Sequence, residues 1–297
     1  MVDGPVASES ASKKTAFVLG GGGNLGATQV GMLQALLESG ISPEVIVGSS
    51  VGALNGAFMA GQPDLARAES LAKLWTGIRR KDIFPFALRR IISGALGRRN
   101  HFFDPHQFQT FLRKVPLGFR LLEEAAVDLH VMATDLMTGE AVTLSSGVAI
   151  DALLASSAIP GVFPPVLIDG RRLIDGGIAA NVPVAQAEAL GADEIWVLPT
   201  AQGFALPPET APDLMLHAMQ KPTGPREATA LAEVSARVEV HVVPVPTGSQ
   251  PSMFDFTQTG VLISRALAAT RQWLDHPPIV GLPHHAPIEK WRPGLAR

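Results

Sequence analysis

The sequence predicts an α/β fold built as one large domain. Two stretches carry this prediction, because each reads as an apolar strand, a glycine-containing turn and then a helix. The first runs from Thr15–Leu19 into residues 20–26, and the second runs from residues 45–47 into residues 48–52. Alternation of strands and helices is typical of α/β proteins. The 297 residues, of which 46% are hydrophobic, are enough for one sizeable core.

Residues 1–14 are small, polar or charged, and they lack the basic start and apolar centre of a secretory signal. We therefore expect a disordered lead-in to a cytoplasmic protein. The sequence has no cysteine, which excludes disulfides, thiol nucleophiles and thiolate metal sites. The net charge of −3 gives no reason to expect nucleic acid as a partner.

The first turn holds four consecutive glycines ahead of a helix predicted over 27–39. Without Cβ atoms, such a backbone can bring several N–H groups onto one anion. Gly21, Gly23 and Gly26 also have the spacing of a dinucleotide-binding fingerprint, so a nucleotide-binding protein is an alternative. That alternative needs an acidic residue where the next strand ends, and this chain has Ser50 there instead.

The second turn reads Gly-x-Ser-x-Gly with Ser50 at its centre. At the junction of a strand and a helix, so tight a turn forces the serine into a strained, exposed position. The helix N-terminus beside it offers unpaired N–H groups and the positive end of the helix dipole. Both favour the negative charge that forms when a serine attacks a carbonyl. Ser50 is therefore a candidate nucleophile, and the alternative is that Ser49 or Ser50 only caps the helix.

A basic segment follows an amphipathic helix predicted over 63–78. Residues 79–103 contain seven basic residues and one acidic residue, Asp82, and so carry a local charge of +6, with apolar residues in between. Such a segment suggests a cap over the site and a surface for transient contact with anionic lipid. The alternative is a cap helix whose basic face is only solvated.

Two aspartates at the ends of predicted strands compete for the role of a base. Asp135 is followed by a turn sequence, which favours a turn-capping role. Asp175 precedes Gly176 and Gly177, and by itself it also fits an ordinary turn. The other elements predicted in this part are helices over 101–114, 150–157 and 183–190 and strands over 127–134, 140–144, 166–168, 172–174 and 194–199.

The C-terminal third begins with a proline-rich stretch, 202–226, which predicts an irregular surface excursion or a second lid element. We expect a helix over 227–238, a strand over 238–245 and a closing helix over 256–274, followed by a tail.

Taken together, the motifs resemble the patatin-like phospholipase family in its compact bacterial form. Their order is the glycine-rich loop, Gly-x-Ser-x-Gly, the spacer Ser156-Ser-Ala-Ile-Pro-Gly-Val-Phe-Pro-Pro165, and then Asp175-Gly-Gly. The similarity covers about residues 15–183, and a weaker similarity continues through residues 254–257 and the helix up to Trp273. Three motifs in this order are far more specific than any one alone.

The resemblance implies a three-layer α/β/α sandwich with a mostly parallel central sheet and the basic segment as a helical cap insertion. It implies one acylhydrolase domain over 15–276, with the cap at about 79–115 and a tail at 277–297. By the same resemblance, Ser50 is the nucleophile and Asp175 is the general base. The glycines it assigns are Gly21, Gly22 and Gly23 for the oxyanion hole and Gly26, Gly48, Gly52, Gly176 and Gly177 as motif positions.

The implied activity is hydrolysis of a lipid-type carboxylic ester (phospholipid, lysophospholipid or neutral lipid) through an acyl-enzyme, without a metal or cofactor. Most serine hydrolases use a histidine as base, but none of the eight histidines lies in a recognisable catalytic context. The resemblance implies a Ser–Asp dyad instead. Because the ordinary pKa of an aspartate is about 3.9, Asp175 must be partly desolvated to act as a base.

Leu25 departs from the family pattern, which usually has Arg or Lys at this position. Leu25 removes a nearby positive charge, which affects the expected affinity for anionic head groups and the expected stabilisation of the oxyanion. It also favours an alternative function, that of a lipid-sensing protein that retains the fold without turnover. A further alternative is an α/β-hydrolase triad in the order Ser50, Asp135 or Asp175, and then His241 or a later histidine.

Overall fold

A computed structural model describes residues 13–83, 105–200, 223–247, 251–252 and 254–276. Within these ranges, eight strands form one sheet that packs against helices. The strands are β1 Thr15–Leu19, β2 Val45–Ser49, β3 Asp128–Asp135, β4 Ala141–Leu144, β5 Val166–Ile168, β6 Arg171–Asp175, β7 Glu194–Leu198 and β8 Glu239–Val242. The helices are α1 Gly26–Glu38, α2 Val51–Ala60, α3 Leu65–Gly77, α4 Arg80–Ile83, α5 Pro105–Lys114, α6 Ala149–Ser156, α7 Val184–Ala189, α8 Thr223–Ser235 and α9 Thr259–Asp275.

The sheet is parallel through its centre and antiparallel on one side. Its strand order is β5-β6-β3-β2-β1-β7-β8, and β4 also pairs with β3. Strands β3, β2, β1, β7 and β8 run parallel, whereas β4 and β6 are antiparallel to β3, and β5 is antiparallel to β6. The predicted parallel sheet is confirmed for these five strands, and the others make the sheet mixed.

The register of the central strands brings two strand ends to one place. Ser49, the last residue of β2, pairs with Met132 of β3, and Asp175, the last residue of β6, pairs with Ala133 of β3. Because β4 pairs with Met132 and Ala133 from the other side of β3, the carboxyl ends of β2 and β6 meet on one side of β3. Ser50 follows Ser49 directly and therefore lies next to Asp175. The sheet thereby juxtaposes two residues that are 125 positions apart in the chain.

Alternate side chains of β1 enter two separate apolar cores on opposite faces of the sheet. Phe17 and Leu19 of β1 pack in a large core with α1, α2, α3 and α9. Ala16 and Val18, which point to the opposite face, pack in a second core with α7 and α8. Helices therefore cover both faces of the sheet, and the predicted three-layer arrangement is confirmed.

The main difference from the sequence prediction lies at the start of α8. Residues 223–226, predicted as irregular, belong to its first turn. Pro225 is compatible with this position because the first N–H groups of a helix have no intrahelical partner. Two smaller differences occur further on: β8 is shorter than predicted, and the closing helix begins as a 3-10 turn, Phe256–Gln258.

Several predictions concern residues outside the described ranges. These are most of the lead-in (1–12), the centre of the predicted cap (84–104), most of the proline-rich excursion (202–222) and the tail (277–297). In the part of the chain that the structure describes, no helix has both the length and the apolar character needed to cross a membrane.

Candidate active site

Ser50 occupies a strained turn between β2 and α2. Its backbone has φ 52° and ψ −121°, a conformation that non-glycine residues rarely adopt. The turn is tight because glycines let backbone segments approach: a Cβ atom on Gly52 would lie 2.1 Å from the carbonyl oxygen of Leu19. Neither serine of the turn caps α2, since Ser50 makes no side-chain cap hydrogen bond and the Ser49 hydroxyl is buried without a partner. The capping alternative is therefore wrong.

The Ser50 hydroxyl donates a hydrogen bond to the Asp175 carboxylate, with Oγ 2.7 Å from Oδ2. The other carboxylate oxygen, Oδ1, accepts from the Gly177 N–H at 2.8 Å. Behind the pair, the Thr134 hydroxyl donates to the Asp175 carbonyl oxygen at 2.8 Å. Both carboxylate oxygens are thus oriented, and one of them faces the hydroxyl that it would deprotonate.

Burial changes the acidity of Asp175. Only 7% of the residue is exposed, and desolvation raises the pKa of its carboxyl group from 3.8 to about 6, although the hydrogen bonds from Ser50 and Gly177 oppose the rise. A carboxylate with this pKa is ionised at neutral pH and is a better proton acceptor than an ordinary aspartate.

The glycine-rich loop lies against the Ser50 turn, but its three candidate N–H groups are not equivalent. The Gly21 N–H already donates to Asn181, at 3.1 Å to Oδ1 and 3.3 Å to the carbonyl oxygen. The N–H groups of Gly22 and Gly23 have no hydrogen-bond partner among the described residues, and both glycines have positive φ. The structure thus leaves two of the three predicted donors available to an anion.

Thr200 holds the glycine-rich loop in place. Its hydroxyl donates to the Gly21 carbonyl oxygen at 2.6 Å, and a Cβ atom on Gly22 would lie 2.2 Å from the same hydroxyl oxygen. Any larger residue than glycine at position 22 would therefore displace the contact. Thr200 follows β7 and has no sequence pattern that marks it.

A buried polar network connects this loop with the helices around the site. The Trp75 indole N–H donates to Asn55 Oδ1 at 2.8 Å, and the Asn55 amide donates to the Gly26 carbonyl and to Gln29 Oε1, each at 2.9 Å. Gln29 in turn donates to the carbonyl oxygen of Gly20 at 2.8 Å. Sequence reasoning did not single out Asn55 or Gln29; the only signal is a polar residue within an apolar helix.

An apolar cavity of about 840 Å³, its open mouth included, begins at Ser50. Most of its lining residues come from α2, α3, α5 and α6 and the segments next to them, and the lining is almost entirely aliphatic or aromatic. Residues from both ends of the predicted cap, Ile83, Phe108 and Phe111, contribute to it. Such a cavity fits a long hydrocarbon chain better than a peptide.

The rival residues lie elsewhere or serve other roles. Asp135 accepts the N–H groups of Met137 and Thr138, at 2.8 and 3.2 Å, as a turn-capping residue does. His241 lies on β8, three strands from β2, where its ring stacks on Trp196 and its Nε2 is 3.0 Å from Glu194 Oε1. The structure therefore does not bring His241 to Ser50.

One group of described residues has the composition of a metal site. Ligand atoms of Glu194, Glu239 and His241 lie within 4.8 Å of one another. These side chains already pair with each other and with Lys13. They lie at the edge of the sheet, so the group forms no part of the Ser50 site.

Leu25, the position that departs from the predicted family pattern, is buried in the large apolar core with 5% of its surface exposed. The side chain therefore stabilises the loop through packing and brings no charge to the site.

Known proteins match this chain in the region that contains the site. A family model described as "Patatin-like phospholipase" matches residues 17–188. Two similar curated proteins are lysophospholipase NTE1 of Coccidioides immitis (strain RS), 32% identical over 186 residues, and lysophospholipase nte1 of Aspergillus niger, 33% identical over 186 residues. These matches cover 63% of this chain but only 11% and 12% of those proteins, so the chain spans about an eighth of their length.

Solved structures that match this chain in the comparison include VipD from Legionella pneumophila and human GIVD cytosolic phospholipase A2. The first has a TM-score of 0.48 at 16% identity and covers 89% of this chain and 67% of that one. The second has a TM-score of 0.46 at 12% identity and covers 88% of this chain and 58% of that one.

Proposed function

Because the chain belongs to the patatin-like phospholipase family, we propose that it is a serine acyl hydrolase that cleaves lipid-type carboxylic esters through a Ser50–Asp175 dyad. The observation that carries this proposal is the 2.7 Å hydrogen bond from the Ser50 hydroxyl to a buried carboxylate at the mouth of an apolar cavity. A nucleophile bonded to its base is the arrangement that acyl transfer requires.

The proposed reaction has two steps. Ser50 Oγ attacks the ester carbonyl carbon while its proton moves to Asp175 Oδ2, and the N–H groups of Gly22 and Gly23 stabilise the oxyanion. The C–O bond to the alcohol then breaks, and Asp175 returns the proton to the leaving oxygen. In the second step, water attacks the acyl-enzyme with Asp175 as base, which releases the carboxylic acid and restores the Ser50 hydroxyl.

The cavity supports esters of long-chain acids as substrates. Its lining would bury an acyl chain whose carbonyl carbon is at Ser50, and burial of each methylene group contributes about 0.8 kcal/mol. The curated relatives are named lysophospholipases, and we place lysophospholipids first among the candidate substrates.

A series of p-nitrophenyl esters of increasing chain length tests this proposal. We expect kcat/KM to rise about fourfold for each added methylene until the cavity is full, since 0.8 kcal/mol corresponds to that factor. A Ser50→Ala variant run in parallel measures the background. Equal rates across the series, or rates that Ser50→Ala leaves unchanged, would contradict it.

We also propose that residues 15–276 form one acylhydrolase domain with a cap at about 79–115 that contacts anionic membrane surfaces. The described ends of this segment support a cap, because Ile83 and Phe111 line the cavity. The membrane contact rests on the charge of +6 over 79–103.

Co-sedimentation with vesicles checks the membrane contact. At low salt we expect binding to vesicles that contain phosphatidylserine, weaker binding at high salt, and little binding to pure phosphatidylcholine vesicles, because the attraction is electrostatic. Replacement of Arg89 and Arg90 by Glu should weaken the binding, whereas replacement of Arg171 and Arg172, exposed on β6, should not. Absence of binding to the anionic vesicles at low salt would contradict the proposed membrane contact.

A further inference from the structure

The pairing of β7 with β8 places four side chains together at the edge of the sheet. Glu194 pairs with Glu239, and Trp196 pairs with His241, in the parallel register of the two strands. Because residues two positions apart in a strand point to the same face, all four side chains share one face of the strand pair. The His241 ring stacks on the Trp196 indole, with 4.2 Å between the ring centroids. This face therefore presents two carboxylates beside an imidazole whose ring plane is fixed.

The polar atoms of the three side chains converge on one point. His241 Nε2 lies 3.0 Å from Glu194 Oε1 and 3.3 Å from Glu239 Oε1. Zinc binds histidine nitrogen and carboxylate oxygen at about 2.0–2.2 Å, so two such ligands at an angle of about 90–110° are about 3.0–3.4 Å apart. The observed separations fall in this range. One ion could therefore contact all three atoms with little side-chain movement.

Neighbouring groups hold the two carboxylates in this orientation. The Lys13 ammonium lies 2.8 Å from Glu239 Oε2, and the Thr15 hydroxyl donates to Glu194 Oε2 at 3.3 Å. The remaining oxygen of each carboxylate, Oε1, is the one that faces His241. Metal sites are commonly supported by such outer contacts, which orient the ligands before the ion binds.

The charges on this face favour a further cation. Like charges on paired strand residues destabilise a sheet, and the register pairs Glu194 with Glu239. Lys13 pairs with Glu239, and the charge of Glu194 remains next to a ring nitrogen that coordinates metals in its neutral form. The side chains of Glu194 and His241 are only 20% and 24% exposed, so salt screens their attraction for a cation less than at an open surface.

We propose that Glu194, Glu239 and His241 form a binding site for one divalent transition-metal ion, such as Zn²⁺, with water in the remaining coordination positions. One imidazole with two carboxylates favours this class of ion over Mg²⁺ and Ca²⁺, which prefer a full set of oxygen ligands. The role of the ion is structural, because it links the edge strand β8 to β7.

The site lies at the end of the parallel strands that is remote from Ser50. Glu194 and Glu239 are the first residues of β7 and β8, and Glu194 pairs with Thr15, the first residue of β1. Ser50, in contrast, follows the last residue of β2. A strand of five residues is about 16 Å long. The metal site is therefore independent of the proposed function, and Zn²⁺ should stabilise the fold without changing ester hydrolysis.

Isothermal titration calorimetry of the metal-free protein with ZnCl2 tests this site. We expect one Zn²⁺ to bind per chain and Mg²⁺ to bind at least 100-fold more weakly. His241→Ala and Glu194→Gln should each weaken Zn²⁺ binding at least tenfold, since loss of even an outer contact to a ligand costs about 10–100-fold in affinity. In thermal unfolding, a free Zn²⁺ concentration of 100 times Kd should raise the Tm of wild type by about 5 °C or more.

Two variants serve as controls. Glu188→Gln is matched to the ligand variants, because Glu188 is also a carboxylate that pairs with a basic residue, Arg237, but lies outside this site. Replacement of His284 and His285 by alanine controls for adventitious binding, since adjacent histidines can bind metal by themselves. Both variants should keep the Zn²⁺ affinity and the Tm gain of wild type. The Tm of each metal-free variant shows whether it is folded.

Absence of Zn²⁺ binding by wild type would overturn the proposal, and the histidine would then balance the carboxylates by itself. Wild-type affinity in His241→Ala or Glu194→Gln, or loss of binding only when His284 and His285 are replaced, would also overturn it. Hydrolysis of a p-nitrophenyl ester is measured on the same samples, and a rate that changes with Zn²⁺ would contradict the structural role. Absence of hydrolysis would count against the proposed function alone.

Discussion

Ser50→Ala and Asp175→Asn should each lower kcat for ester hydrolysis by about 10³-fold or more. Without the Ser50 hydroxyl no acyl-enzyme can form. In Asp175→Asn the amide at this position has no basic oxygen that can take the proton from Ser50, so the hydroxyl stays weakly nucleophilic. Losses of this size are typical when one member of a nucleophile–base unit is removed.

Initial rates on a long-chain p-nitrophenyl ester, together with thermal unfolding of each variant, check this result. Asp135→Asn is the matched control, because Asp135 also ends a strand beside β6 but its carboxylate accepts only turn N–H groups among the described residues. It should keep activity near that of wild type. Equal rates for wild type, Ser50→Ala and Asp175→Asn would refute the dyad.

The pH dependence of wild type should show one ionisation near pH 6. Burial raises the pKa of Asp175 to about 6, and only the carboxylate form can accept the Ser50 proton. We expect kcat/KM to level off above about pH 7 and to fall tenfold per pH unit well below 6. A profile that stayed flat down to pH 4.5 would contradict the role of Asp175 as the base.

The same pKa shift predicts that Asp175→Asn is more stable than wild type at high pH. The pKa of Asp175 is 3.8 when unperturbed and about 6 in the folded protein, so the folded state binds the proton more tightly. This contribution to stability is fully present below pH 3.8 and is lost as pH rises through 6. At pH 8, burial of the carboxylate should therefore lower the free energy of unfolding by about 2–3 kcal/mol.

Asparagine has no charge to bury and can still accept the Gly177 N–H. Denaturant unfolding at several pH values should thus show Asp175→Asn more stable at pH 8 and the difference shrinking toward pH 4. If the variant were equally stable or less stable at pH 8, burial of the ionised carboxylate would not lower the free energy of unfolding, which would contradict the prediction.

Local patterns in the sequence predict the elements that carry the site. The strand at Thr15–Leu19 has the predicted bounds, and Ser50 stands between a strand and a helix as the Gly-x-Ser-x-Gly pattern indicates. The contact between Ser50 and Asp175 is different, because it depends on the order of pairing along β3, where β6 begins to pair at the residue after the last partner of β2. No local pattern encodes that order, and only the family resemblance pairs the two residues beforehand.

The supporting contacts could not be predicted for a related reason. The Asn181 side chain accepts a hydrogen bond from the Gly21 N–H, and the Thr200 hydroxyl donates one to the Gly21 carbonyl oxygen. These partners are 160 and 179 positions from Gly21 in the chain. Each is a single polar residue after a strand or turn, with no periodicity or motif of its own. Their roles follow from the way the loops at one edge of the sheet pack together.

The central claim is that Ser50 is the nucleophile of a functioning dyad, and covalent labelling measures this most directly. A long-chain alkyl fluorophosphonate, in which the serine oxygen displaces fluoride from phosphorus, is incubated with wild type and Asp175→Asn, and the labelled peptide is identified by mass spectrometry. We predict one adduct, on Ser50, that forms in parallel with loss of activity and far more slowly in Asp175→Asn. Complete inactivation with the adduct on another residue, or active enzyme with Ser50 fully labelled, would contradict the account.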